Sequence, residues 1–355
     1  LLLLISSNAL SKNFIQKSFH TSPIEHLNLF KESNPITINQ VQLEKETILD
    51  IEINQEIKVV SYKTKYYTEG SYHYWIGKIV NDPYGNLVIT QFNNKTSVNL
   101  YTGGKQYWLK KEKDLNFLVQ SNSVGEKANG KSDVVHDSHH NNDETKAVIT
   151  KKSGDNFVDV MFAYTAAALA QDANIETTLT SRVATINQYL ADSCVNFRFR
   201  VVHMVQVGYT ESGSMQTDLD EAYSGASFGN GSLSALNTAK TTYGADLVQL
   251  ITHAEDTYCG LAHTNSIGDF NDVKSVSVSR FICGPITMAH EFGHNLGLQH
   301  DIYQFIDDTN GSNNFDYGAG YGYGDLENKK RSIMSYSSHC TSAGVYCELV
   351  GQYSN

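Results

Sequence analysis

No cysteine occurs in the first 193 residues of this 355-residue chain. A disulfide framework is therefore excluded from the N-terminal half. Clustered lysine and arginine are also missing, and the formal net charge is −11. Phosphate backbones are held by such clusters, so nucleic acid is excluded as a partner. Past the opening residues, no apolar run approaches the ~18 residues that would identify a membrane-spanning helix. Charged residues make up only 18% and hydrophobic residues 40%, which fits a globular chain with a sizeable core. The length suggests two domains.

The chain opens with LLLLISSNA, an apolar run followed by small residues. Residues 1–9 read as the remainder of a signal peptide, which predicts a secreted, extracellular protein. The five cysteines are Cys194, Cys259, Cys283, Cys340 and Cys347. Secretion predicts that most are paired. Five is odd, and spacing does not fix connectivity; the expected pairs are Cys259–Cys283 and Cys340–Cys347, leaving Cys194 over.

From about residue 37 to 120, short alternating β-branched and aromatic stretches such as HYWIGKIV and NLVITQF are separated by turn sequences such as NDPYGN. Residues 10–120 are thus expected to form a β-rich domain. Residues 121–154 are polar and lack apolar periodicity, as in an exposed linker. Its histidines His136, His139 and His140 read as solvated loop rather than ligands, and Lys151-Lys152 offers a dibasic cleavage point. From Phe157 the pattern changes. FVDVMFAYT is a continuous apolar run, as in a strand buried on both faces. A helix is predicted through Leu179, Val183, Ile186 and Leu190, and another over SLSALNTAKTTY. These helices alternate with the strands FRFRVVHMVQVGY, ADLVQLIT, GLAHT and VKSVSVSR, which predicts a mostly parallel sheet with crossovers.

The chemistry is concentrated in AHEFGHNLGLQHD. His290 and His294 are at i and i+4, which places both imidazoles on one helix face. Two such rings can hold one Zn²⁺. Glu291 lies roughly 100° around the helix and is free to act as general base toward a water. Gly297 allows the helix to end in a left-handed turn, so that the chain can bring back His300 as third ligand. Three protein ligands leave a fourth position open, as in catalytic rather than structural zinc sites. The alternatives are a hydrated surface helix, a four-ligand structural site and an inactive scaffold. None accounts for the retained Glu291 together with Gly297 and His300.

Thirty residues on, RSIMSYSS supplies Met334. Together the two motifs resemble the metzincin metallopeptidases, whose long histidine motif is followed by a Met-turn. The residue after the third histidine, Asp301, resembles the marker of the adamalysin/reprolysin group, peptidase family M12B, to which the ADAM and snake-venom enzymes belong. VDVMFAYTAAALA resembles the first strand of their catalytic domains, and GQYSN resembles a segment lining the S1′ pocket. The YCGLAH segment resembles the edge strand that pairs with substrate, which would make Gly260, Leu261, Ala262 and His263 a substrate-binding edge. The resemblance covers about residues 156–355. It implies an α/β (α+β) catalytic domain over residues 155–355, with an antiparallel edge strand on a twisted, mostly parallel sheet, an active-site helix and an irregular C-terminal subdomain. It further implies a zinc endopeptidase acting on proteins or peptides, with residues 10–120 as a prodomain that inhibits it. Tyr336, two residues after Met334, is a second catalytic candidate; packed aromatic is the alternative. No cysteine is available in residues 1–155 to hold the zinc latent.

Asn94, Asn230 and Asn310 each begin a glycosylation sequon. Acidic residues follow Asp301, but no calcium-loop spacing is present, so Ca²⁺ has no motif behind it.

Overall fold

The computed structural model describes residues 12–17, 35–38, 43–52, 58–112, 115–121, 134–135, 156–253, 258–265, 271–302 and 320–353. Residues 1–9, His136, His139, His140, Lys151, Lys152 and Asn310 lie outside these residues. The chain divides into two compact units, one formed by residues 1–102 with 107–120, the other by residues 103–106 with 121–355.

The first unit is all β. Its strands are β1 (Lys12–Lys17), β2 (Pro35–Ile38), β3 (Ile48–Glu52), β4 (Lys58–Glu69), β5 (Tyr72–Ile79), β6 (Asn86–Phe92), β7 (Lys95–Thr102), β8 (Lys105–Glu112) and β9 (Leu115–Gln120). They close into a barrel. Antiparallel hairpins run from β3 to β7, and closure comes from β1, which pairs with β2 on one side and in parallel with β3 on the other. Alternation sends Trp75, Leu87, Ile89, Val98, Leu100 and Leu109 into one apolar core. Asn94 is exposed in the tight turn between β6 and β7.

The second unit is mixed α/β. A six-stranded sheet has the order β10 (Val134–Val135), β14 (Gly260–His263), β15 (Val276–Arg280), β13 (Leu247–Thr252), β11 (Phe157–Tyr164), β12 (Arg198–Gln206). Strands β12, β11, β13 and β15 are mutually parallel, and β14 runs antiparallel to β15. Helices α1 (Ala166–Gln171), α2 (Ile175–Asp192), α3 (Met215–Phe228) and α4 (Ala235–Tyr243) connect the sheet's strands, and α5 (Gly284–Asn295) follows β15. Met161, Ala163, Val248, Leu250, Val276 and Val278 form a core with Met215, Leu219, Ala222, Ala226 and Leu236, so α3 and α4 cover one face. On the other face Phe292 of α5 meets Phe162 and Phe199, at centroid distances of 6.2 and 4.9 Å. The central strands are therefore buried on both sides, as their uninterrupted apolar runs require.

Two features depart from the sequence reading. Helix α3 falls in SMQTDLDEAYSGASF, where no helix was expected. After Met215 and Leu219 its buried face continues with the small residues Ala222, Gly225 and Ala226, and a Cβ at Gly225 would meet the Leu233 carbonyl oxygen at 2.5 Å. Such close packing leaves no stripe of large apolar residues to read. Secondly, the strand of Gly260, Leu261, Ala262 and His263 is not at the sheet edge. Val134–Val135, within the presumed linker, pairs with its outer side. Two adjacent β-branched residues suffice for a short strand where a neighbour offers free backbone groups.

Candidate metal centre

Helix α5 begins after β15, at Gly284 (φ +80°), with Pro285 in its first turn where a missing N–H is harmless. All twelve of its residues are buried, and this is the histidine-bearing helix. It ends at Leu296, and Gly297 follows with φ +92°, the conformation that glycine alone adopts freely. The turn takes the chain into β16 (Leu298–Asp301), which pairs with β17 (Gly320–Gly322) and carries His300 back to the helix.

His290, His294 and His300 are at most 2% exposed. Their Nε2 atoms lie 3.0 Å (His290–His294), 3.1 Å (His294–His300) and 3.2 Å (His290–His300) apart. The other nitrogens decide what that triangle means. Nδ1 of His290 is 2.8 Å from the Ile333 carbonyl oxygen, and Nδ1 of His294 is 2.9 Å from that of Leu298. Carbonyls only accept, so each Nδ1 carries the proton and each Nε2 turns a lone pair inward. Two lone pairs converging beside the His300 Nε2 in a buried site suit a cation between the rings. An ion 2.0–2.1 Å from each nitrogen in tetrahedral geometry would space them about 3.3–3.4 Å apart, close to what is found. The donor set thus fits zinc.

Met334 is 1% exposed and lies beneath the helix. A side chain at Gly293, in the turn between the two helical histidines, would collide with the Met334 sulfur, and one at Gly322 would meet the Met334 carbonyl carbon at 2.6 Å. Ile333, which holds His290, is itself held, its N–H donating to the Gln352 carbonyl at 2.8 Å. Asp301 is buried and accepts from Ser335 Oγ and from the Tyr336 N–H. Tyr336 is buried, its ring 4.2 Å from that of His300 and 6.2 Å from that of His290. In the C-terminal segment, Tyr353 donates its hydroxyl to the carbonyl of Ala289, adjacent to His290, at 2.8 Å, and complete burial raises its pKa.

Glu291 is 1% exposed and its carboxylate lies against the backbone of Gly260. A Cβ there would fall 2.6 Å from the Glu291 Cδ and 2.7 Å from its Cγ. Cys259–Cys283 is a disulfide, joining the residue before β14 to the residue before α5. Cys340 and Cys347 form a second disulfide, and Cys194 is free and exposed. His263 is buried, with its ring 4.2 Å from that of Tyr223, and its carbonyl accepts the Asn295 side-chain amide at 2.9 Å. Gly293, Gly322, Tyr353 and the carbonyls of Ile333 and Leu298 were not singled out in the sequence. Their roles arise from segments that meet only on folding, although the glycine inside H-E-F-G-H was visible.

Residues 176–301 match the family model "Metallo-peptidase family M12B Reprolysin-like". This part of the second unit is similar to reprolysin-like metallopeptidases. Similar curated proteins include a peptidyl-Asp metalloendopeptidase of Xanthomonas campestris pv. campestris, 31% identical over 53% of this chain and 41% of that protein. Another, from Stenotrophomonas maltophilia, is 26% identical over 78% of this chain and 64% of that protein. The chain thus spans less than two thirds of each of these relatives. The solved structure of metalloproteinase-II from Bacteroides fragilis aligns over 71% of this chain and 81% of that one, with 12% identity and a TM-score of 0.43. The matched residues include the three histidines, Glu291, Gly297 and Asp301.

Proposed function

We propose that the chain is a secreted zinc endopeptidase, made as a zymogen whose residues 10–120 form the inhibitory prodomain. The observation that carries the catalytic reading is the convergence of three buried histidine Nε2 atoms beside a buried glutamate. His290, His294 and His300 hold the zinc. Bound there, zinc supplies Lewis acidity toward a water and toward the scissile carbonyl. Glu291 takes the proton of the attacking water and later delivers it to the leaving amine, acting as base and then as acid. The Ile333 and Leu298 carbonyls keep two of the imidazoles in the ligating tautomer. The chain of the peptide substrate lies along β14, adding to the sheet through backbone hydrogen bonds. No helix among the described residues is long and apolar enough to cross a membrane.

The test is Glu291→Ala. Hydrolysis of casein is expected to be lost, while metal analysis still finds one zinc per chain. Casein cleavage at the wild-type rate by that variant would refute the mechanism. Mass spectrometry after incubation with a peptide library that includes aspartyl peptides gives the cleavage preference and the mature N-terminus together.

A further inference from the structure

Strand β14 has two edges. One is bonded to β15, with Gly260 opposite Ser279 and Ala262 opposite Ser277. The other is the edge along which a peptide would have to lie to come near Glu291, because Gly260 in this strand touches the Glu291 carboxylate. That second edge is taken by the chain itself. Val134 pairs with Ala262 and Val135 with His263, in parallel. Backbone groups on one strand edge form one set of hydrogen bonds at a time. A peptide and Val134–Val135 therefore require the same groups of β14.

We propose that Val134–Val135 is a tethered competitor for the substrate edge, a short strand that must leave β14 before a peptide is accepted. This rests on reading the site as a peptidase. The properties of the segment suit a reversible stop. It is two residues long, so its hold on the edge is weak. It is part of the same chain, so its effective concentration at the edge stays high until the connection is cut. Asp133 and His136 flank it, and the surrounding sequence SNSVGEKANGKSD supplies no long apolar run to strengthen the strand. Inhibition of this kind needs no residue that ligates zinc, and none of the cysteines precedes Cys194. It acts on peptide binding and leaves the chemical step alone.

The experiment compares the full-length wild-type chain with Val134→Pro/Val135→Pro, which removes both N–H donors, and with Val134→Gly/Val135→Gly, which weakens the strand while keeping them. Initial rates are measured on dye-labelled casein, and hydrogen exchange is followed at residues 260–263. The expected result is an apparent KM lowered on the order of tenfold in the proline variant. The glycine variant should shift less, both should keep the wild-type kcat, and the amides of β14 should exchange faster in both. Wild-type KM and wild-type exchange in both variants would overturn the proposal. So would faster exchange with KM unchanged, since that frees the edge without helping the substrate. If no form hydrolyses casein although zinc is bound, the peptidase reading fails, and the exchange data still decide whether Val134–Val135 covers β14.

Discussion

The Asp301 carboxylate accepts the backbone N–H of Tyr336 at 3.0 Å across 35 residues of chain. The same oxygen accepts Ser335 Oγ at 3.0 Å. One residue before Asp301 is the third histidine, and one residue before Ser335 is Met334, so the carboxylate ties the strand that carries His300 to the turn beneath the helix. Asp301→Ala would leave buried donors without this acceptor, at a cost of about 2–4 kcal/mol. The expected outcome is a lower melting temperature and weaker zinc retention during dialysis against a chelator. Asp301→Asn, which keeps one accepting oxygen, should lose less of both. Equal zinc retention in wild type and Asp301→Ala would show that the carboxylate does not steady His300.

A glycine governs where the Glu291 carboxylate lies, the group proposed as general base. Because Gly260 lacks a side chain, the Glu291 carboxylate can lie against its backbone. Gly260→Ala should lower kcat on the order of a hundredfold, as a small displacement of a catalytic group does. Zinc content should stay at the wild-type value, since none of the three ligands is touched. The pairing of kcat with metal analysis separates displacement of Glu291 from general loss of the site, and an unchanged kcat would remove Gly260 from its positioning role.

Asp246 offers a pH test far from the metal. Burial, followed by the nearby Asp159 and Asp272 carboxylates, raises its pKa, while the Asp159 N–H and Lys240 pull the other way. A raised folded-state pKa means that the ionised form opposes folding at neutral pH, and that this penalty is relieved as pH falls through the folded value. Asp246→Asn, still able to accept the Asp159 N–H that Asp246 Oδ2 accepts at 2.8 Å, should raise the melting temperature at pH 7 by about 1–3 °C. The advantage should shrink on acidification, as wild-type Asp246 takes up its proton. An advantage that grew at low pH would contradict the assigned sign.

The histidine cluster was legible because a helix fixes two of its members. Spacing of four residues puts His290 and His294 on one face whatever the rest of the chain does, and Gly297 signals the turn that returns His300. Helix α2 announced itself through Leu179, Val183, Ile186 and Leu190, all buried. What escaped the sequence depends on partners far away in the chain. Alternation marks β5 and β6 as strands but says nothing of the pairings that close a barrel. The contact of Met334 with Gly293 joins residues that share no pattern. Helix α3 hid because Ala222, Gly225 and Ala226 bring it close to its neighbours without large side chains. Val134–Val135 looked like linker because two residues carry no periodicity at all.

The Cys259–Cys283 bond ties the strand that accommodates Glu291 to the start of the helix that bears it. None of the three histidines depends on that bond for its place on the chain. If the site works as proposed, metal capture and proton transfer then differ in their demands on the surroundings. On that proposal a chain folded among reducing thiols keeps its three histidines, whereas the strand against Glu291 gains its tie to the helix only once an oxidant has acted. The compartment in which such a chain matures would then bear on its activity, alongside the metal.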